Sequence, residues 1–179
     1  MFLRSLLRAV LLAASLATFI VLWCGALLWK ARQRRAAAIA LHAQITEANN
    51  RAAASVRYLH RMIREEYVFG QIDAAVIQGE WERSRHEVNQ ARSDLWNVAP
   101  QSAGGAKFLR TALAAHESYV KLVEIHCKRM IDVVRENRFV YSWDLDSHWE
   151  EGRKALDEKR AELEFAERAF AAEEGLTLD

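Results

Sequence analysis

Apolar residues are distributed along this chain in two ways, first as one unbroken run and then at helical spacing. The run lies between Arg8 and Lys30, where 21 consecutive residues carry no charge. At about 1.5 Å of rise per residue, a helix of that length spans roughly 30 Å, the thickness of the hydrocarbon core of a bilayer. The pattern therefore predicts a single transmembrane helix over residues 9–29, preceded by a short basic tail over residues 1–8.

Beyond the run, apolar residues recur every three or four positions, which is the period of an amphipathic helix. Four such helices are predicted: from Lys30 to Phe69, after a break at Gly70–Asp73, after a loop at Pro100–Gly105, and from Ser147. Asp73 is placed to cap the second helix, and Ser147 with Glu150 matches a capping box for the fourth. The stripes expected to face the core are Ile45, Asn49, Ala52, Val56, Leu59 and Ile63; Ala74, Ile77, Trp81, Ser84, Val88, Ala91, Leu95 and Val98; Leu109, Ala112, His116, Tyr119, Val123, His126, Met130 and Val133; and Trp149, Leu156, Leu163, Ala166 and Phe170.

These helices predict an all-α fold. One proline and seven glycines among 179 residues supply too few turns for a β-sandwich. Four helices with short connections pack most simply as an antiparallel four-helix bundle, predicted over residues 45–179 and joined to the membrane helix by a basic helical stalk over residues 30–44. The structural alternative is a pair of helical hairpins, an antiparallel coiled coil completed by oligomerisation.

The formal net charge of +1 conceals a division of the chain. The first 46 residues hold six basic residues and no acidic one, so the remainder carries a net charge of −5. The near-neutral total gives no strong case for nucleic acid as a partner. Four of the basic residues follow the predicted membrane exit, where they would meet lipid phosphate and influence topology: Lys30, Arg32, Arg34 and Arg35.

The predicted location is the bacterial inner membrane. Basic residues flank the run on both sides, and the slightly larger number on its C-terminal side favours a cytoplasmic body under the positive-inside rule. A periplasmic body stays open, because N-terminal anchors often export the domain that follows them. A mitochondrial inner membrane also stays open, since the tail is basic and lacks acidic residues.

Small residues recur at about every fourth position of the membrane run, which would let a second helix backbone approach closely. This stripe predicts helix–helix contact in the membrane with another subunit or with a second copy of the chain. The alternative is that alanine is simply abundant in this sequence. The stripe consists of Ser5, Ala9, Ala13, Ala17 and Gly25.

Aromatic residues are concentrated at two predicted helix connections that an up-down bundle would bring to the same end. Connections are usually polar, so this density predicts either a partner-binding patch or a plug that closes the end of the bundle. The predicted patch consists of Tyr67, Phe69, Arg138, Phe139, Tyr141 and Trp143.

The sequence supplies no motif for a metal, a cofactor or a catalytic centre. None of the six histidines follows an acidic residue at i−3, as a ferritin-like site would require. His116 and His126 fall on the third stripe, where a partly buried histidine with a hydrogen-bond partner is expected and a pH-responsive core is the alternative. The predicted function is a non-enzymatic, membrane-anchored accessory or scaffold subunit of a larger complex; the alternative is a single-pass sensor of a small molecule or of pH.

Overall fold

The computed structural model describes the backbone of residues 2–136 and 142–178, and the side chains of residues 15–136 and 145–178. All regular secondary structure in these ranges is helical, which confirms the predicted all-α class. The chain divides into two compact units, Met1–Ala37 and Ala38–Asp179.

Four helical rods make up the described chain. The first is α1 followed by a π-helical segment, π1; the third consists of α3, a second π-helical segment, π2, and α4 in direct succession. The elements are α1 (Phe2–Arg61), π1 (Met62–Tyr67), α2 (Ala74–Trp96), α3 (Ala103–Lys121), π2 (Leu122–Cys127), α4 (Lys128–Glu136) and α5 (Ser142–Glu174).

The predicted break between the first two rods is confirmed. Gly70 adopts φ +68°, a left-handed conformation that glycine reaches without strain. Three residues later the side chain of Asp73 accepts hydrogen bonds from the backbone N–H groups of Ala75 and Val76, at 2.8 and 2.9 Å. This cap satisfies donors that the first turn of α2 leaves without an intrahelical partner.

The predicted start of the fourth helix at Ser147 is wrong. Helix α5 already begins at Ser142, so Ser147 lies inside the helix rather than at its cap. Tertiary packing explains the earlier start, because Leu145 is buried and Trp149 is half-buried one turn further on. The helical stripe therefore extends upstream of the residues that resemble a capping box.

The predicted stripes pack against one another in the second unit. Helix α3 packs along α5 and against α2, and π2 contacts both of these helices. The stripe of α2 is buried at Ile77, Val88 and Leu95, although Ala74 at its start is exposed. The stripe of α3, π2 and α4 is buried throughout except at the half-buried His126.

Candidate functional site

The helix surface between residues 15 and 36 is exposed on every side. Phe19 and Trp23 stack on each other with ring centroids 6.0 Å apart, yet both remain about 60% exposed. Among the described residues, one helix is long and apolar enough to cross a membrane, and it contains this stretch. Its exposed large apolar side chains are Leu16, Phe19, Ile20, Val21, Leu22, Trp23, Leu27, Leu28 and Trp29.

Part of the predicted small-residue stripe can be located. Ala17 and Gly25 are exposed, and a Cβ added at Gly25 would meet no atom within 4 Å. Ser5, Ala9 and Ala13 lie on helical backbone, but their side chains fall outside the described part of the chain. A partner helix at this stripe stays a prediction.

The four basic residues after the predicted span are all exposed. No carboxylate lies within 4 Å of any of them among the described side chains. Their charges are therefore free for solvent or lipid phosphate. These residues are Lys30, Arg32, Arg34 and Arg35.

The predicted aromatic patch is only partly within the described residues. Tyr67 is 8% exposed and belongs to the core, where it ends π1 beside the buried Met62 and Ile63. Phe69 lies two residues later, in the turn, and is 74% exposed. Arg138, Phe139 and Tyr141 lie outside the described residues, as does the side chain of Trp143, whose backbone is in the first turn of α5.

Beside Phe69 lies a groove of about 660 Å³ between the first rod and the start of α5, here called the arginine groove. Three arginines line one side: Arg57 and Arg61 lie at i and i+4 of α1, and Arg64 follows in π1. The apolar end is formed by Val68, Phe69 and Leu145. The lining residues are Arg57, His60, Arg61, Arg64, Glu65, Val68, Phe69 and Leu145.

The three arginines of the groove differ in whether a carboxylate neutralises them. Arg64 forms an ion pair of 3.2 Å with Asp146 of α5. Arg57 and Arg61 have no carboxylate within 4 Å among the described side chains, and the Arg61 guanidinium lies 5.6 Å from the centroid of the Tyr58 ring. Glu65 also lines the groove, so three arginines against Glu65 and Asp146 leave a net charge of +1.

His60 lies in the same groove and stacks on Trp149, with ring centroids 3.7 Å apart and planes 15° apart. Its Nε2 atom is buried without a hydrogen-bond partner in the described part of the chain. Burial, followed by the charge of Arg64, lowers the pKa of His60 to about 4, against the opposing effects of Asp146 and Glu150. The imidazole is therefore neutral at physiological pH.

A second groove of about 660 Å³ lies between α1 and α2. Ser55 is 5% exposed at this groove, and its hydroxyl has no hydrogen-bond partner among the described residues. Arg51 is neutralised by Asp94 at 2.5 Å, and Arg83 pairs with Glu80. The lining residues are Arg51, Ala54, Ser55, Tyr58, Arg83, His86, Glu87 and Gln90.

The core contains two polar rings on α3. His116 is fully buried, and its ring centroid lies 5.7 Å from that of Tyr119. The expected hydrogen-bond partner of His116 is not found among the described residues, where both ring nitrogens and the Tyr119 hydroxyl are unpaired. Burial, followed by the charges of Arg51 and Arg92, lowers the pKa of His116 to about 4. His116 is buried because the helical period of α3 places it on the same face as the buried residues Ala112 and Tyr119.

The described residues contain no group of three or more histidine, cysteine, aspartate or glutamate side chains arranged to hold a metal ion. Cys127 is completely buried at the end of π2, and burial raises the pKa of its thiol to about 12. That thiol is therefore protonated and poorly nucleophilic at neutral pH. Cys24 is exposed within the apolar stretch of α1.

Sequence reasoning missed the arginine groove. Arg57, Arg61 and Arg64 alternate with the core positions Val56, Leu59 and Ile63, so they read as an ordinary solvated face. Their spacing of four and three residues was the available signal. Only the packing of α5 beside this face turns it into a groove.

No protein-family model, no curated protein and no solved structure matches this chain. The functional argument therefore rests on the chemistry of the chain's own residues.

Proposed function

We propose that this chain is a membrane-anchored, non-enzymatic interaction protein, an accessory or scaffold subunit of a larger membrane complex. The observation that carries the proposal is the band of exposed apolar side chains from Leu16 to Trp29, each more than half exposed. Contiguous apolar surface of this extent is rare on a water-soluble protein and has a natural partner in lipid. Residues 9–29 would cross the bilayer once.

The body is proposed to be an antiparallel four-helix bundle. Contacts between the first rod and α5 support this arrangement, because the residue number falls on α5 as it rises on the first rod. The same inverse register relates α2 to α3, which favours a closed bundle over separate hairpins. The supporting pairs are His42–Glu167, His60–Trp149 and Arg64–Asp146 for the first rod with α5, and Arg92–Glu117 and Arg85–Glu124 for α2 with α3.

A role in binding other subunits is supported by surface features of the body. The arginine groove combines uncancelled positive charge with the exposed ring of Phe69. Charge and an aromatic anchor are the usual components of a protein–protein contact. The proposed partners are membrane lipid at the anchor and another subunit, or a second copy of the chain, at the body.

The proposed location is the bacterial inner membrane with the body in the cytoplasm. The exposed basic residues Lys30, Arg32, Arg34 and Arg35 support this side, since basic residues near a span are retained in the cytoplasm. A protease-sensitive tag after Asp179 tests it in intact cells with a permeabilised outer membrane. Protection of the tag is expected, and cleavage from the periplasmic side would assign the body there.

The anchor is tested by replacing Phe19 and Leu22 with lysine and measuring the fraction of protein that stays with membranes after an alkaline carbonate wash. We expect the wild type to stay and the double variant to be released, because two charges in the hydrocarbon core oppose insertion. Ile125→Lys, a change at an exposed apolar residue of the body, is the matched control and should stay. Release of the wild type would refute the proposal.

A single-pass sensor is the second candidate, and the groove between α1 and α2 is the observation that favours it. Its volume suits a small molecule, and polar side chains such as His86 and Gln90 line it. Purification in mild detergent separates the two candidates. A subunit is expected to retain a stoichiometric partner, whereas a sensor is purified alone and is stabilised by a ligand.

A further inference from the structure

We propose that the arginine groove binds an acidic amphipathic helix of the partner subunit, with glutamates at i and i+4 and a leucine or phenylalanine about two turns beyond them. This inference rests on the proposed function, because it names the chemistry of the partner that an interaction subunit requires. It concerns described residues alone.

The spacing of the arginines favours a helical ligand over a small anion. Arg57 and Arg61 are four residues apart, which corresponds to a rise of about 6 Å along α1, and Arg64 lies three residues further, in π1. One phosphate or carboxylate group reaches only part of this row. Glutamates at i and i+4 of a second helix have the same rise of about 6 Å, so each can pair with its own guanidinium.

The charge of the groove favours an acidic ligand. The chain after residue 46 carries a net charge of −5, whereas the three arginines of the groove against Glu65 and Asp146 leave +1, a local exception on an acidic body. Arg57 and Arg61 have no carboxylate within 4 Å among the described residues, so a ligand gains their ion pairs without breaking existing ones. Arg64 is already neutralised by Asp146 and contributes less.

The apolar end of the groove requires an apolar residue on the ligand. Phe69 is 74% exposed beside Val68 and the buried Leu145. Phe69 lies eight residues beyond Arg61, past π1 and in the turn that follows it. The apolar residue of the ligand helix is therefore placed beyond its two glutamates, toward this aromatic side chain.

His60 lies between the charged and apolar ends of the groove, where its ring stacks on Trp149 and its Nε2 is buried without a partner among the described residues. Because this nitrogen is enclosed, the contacts of the ligand are assigned to the two arginines and to Phe69.

The test uses the full-length protein in mild detergent and a fluorescent 16-residue helical peptide with the proposed pattern. A peptide of the same composition but scrambled order is the ligand control. Fluorescence anisotropy is expected to show binding of the patterned peptide, at least tenfold tighter than the scrambled one. Binding should weaken as salt rises, because exposed charge pairs are screened.

Substitutions then assign the binding to the groove. Arg57→Gln with Arg61→Gln is expected to weaken binding at least tenfold, and Phe69→Ala several-fold. The matched controls are Arg110→Gln with Arg129→Gln, two exposed arginines without a carboxylate partner among the described residues, and Phe165→Ala, an exposed ring on α5. These controls should bind as the wild type does, and circular dichroism verifies that every variant is folded.

Four outcomes would overturn the inference. Equal binding of the patterned and scrambled peptides would show that the groove attracts acidic peptides only through nonspecific charge. Absence of peptide binding would show that an acidic helix is not the ligand. If the protein binds anionic vesicles but not the peptide, and the double arginine variant loses vesicle binding, the groove would be assigned to a lipid surface. Self-association lost in that variant would assign it to a second copy. Membrane retention of the same variants, measured before detergent extraction, reports separately on the proposed anchor, so the two proposals can fail independently.

Discussion

The indole Nε1 of Trp81 donates a hydrogen bond of 2.9 Å to the backbone carbonyl of Val123. The acceptor lies inside π2, where the backbone hydrogen-bond pattern departs from that of an α-helix. Two cations also lie over the indole ring, with Arg85 at 5.6 Å and Lys128 at 5.3 Å from its centroid. Trp81 thus ties α2 to the irregular turn of the third rod.

Trp81→Phe is expected to lower the free energy of unfolding by about 1–3 kcal/mol. Phenylalanine keeps most of the apolar contact but cannot donate to the Val123 carbonyl, which loses this partner. Urea unfolding followed by circular dichroism measures the change. Trp96→Phe is the control, because Trp96 is 75% exposed, and equal effects at the two positions would contradict the role of the hydrogen bond.

His116→Leu is expected to raise the free energy of unfolding by about 1 kcal/mol at pH 7.5. The wild-type imidazole is fully buried with both nitrogens unpaired among the described residues, so it incurs a desolvation cost that leucine avoids. The same urea measurement tests it against His86→Leu, a change at an exposed position. A loss of stability specific to His116→Leu would show that the imidazole has a partner in the folded protein.

Stability is expected to fall as the pH is lowered from about 6.5 to about 4. In this window the unfolded chain binds protons at His60 and His116, whose pKa values are about 4 in the folded state. Above this window both histidines are neutral in the folded and in the unfolded chain, so their contribution to the free energy of unfolding is constant. The charges facing His116 are Arg51 and Arg92; those facing His60 are Arg64, Asp146 and Glu150.

For His116 the full loss across this window is on the order of 3 kcal/mol. Unfolding free energies measured at pH 7.5, 6 and 5 should therefore decrease in the wild type and decrease less in His116→Leu. Identical pH dependence of the two proteins would show that protonation of His116 is not responsible for the loss of stability. The low pKa also weakens a pH-sensing role near neutrality, since this imidazole stays neutral there.

Gly152→Ala is expected to destabilise the protein by about 1–3 kcal/mol. A Cβ at this position of α5 would lie 2.5 Å from Leu122 and 2.6 Å from the His126 ring, both in π2, so the helices must separate or these side chains must move. Gly79→Ala in α2 is the matched control. An added Cβ there meets nothing within 4 Å, and alanine favours helix, so that variant should be unchanged or up to about 1 kcal/mol more stable. Thermal unfolding of both variants measures the contrast.

Much of the helical fold could be predicted from residue periodicity. The stripes through Val88, Tyr119 and Phe170 are buried where the steps of three and four residues place them. Asp73 caps α2 as its position after the Gly70 turn indicated. These features depend on local sequence, which is why a single sequence is sufficient to predict them.

Features that depend on contacts between helices could not be predicted. The early start of α5 depends on burial of Leu145 and on the stack of Trp149 against His60, residues nearly 90 positions apart. The two π-helical segments have no signature in the residue types that form them. The arginine groove likewise requires knowledge of which helix lies beside Arg57 and Arg61.

The burial of Cys127 gives the protein an internal reporter of its own opening motions. A thiol that is enclosed and protonated in the native state reacts with an alkylating reagent only when the core opens around it. In a Cys24→Ser background the alkylation rate of Cys127 therefore follows the population of opened molecules, in detergent or in the membrane. Occupancy of a groove that stabilises the closed core would be recorded as a slower alkylation rate at Cys127.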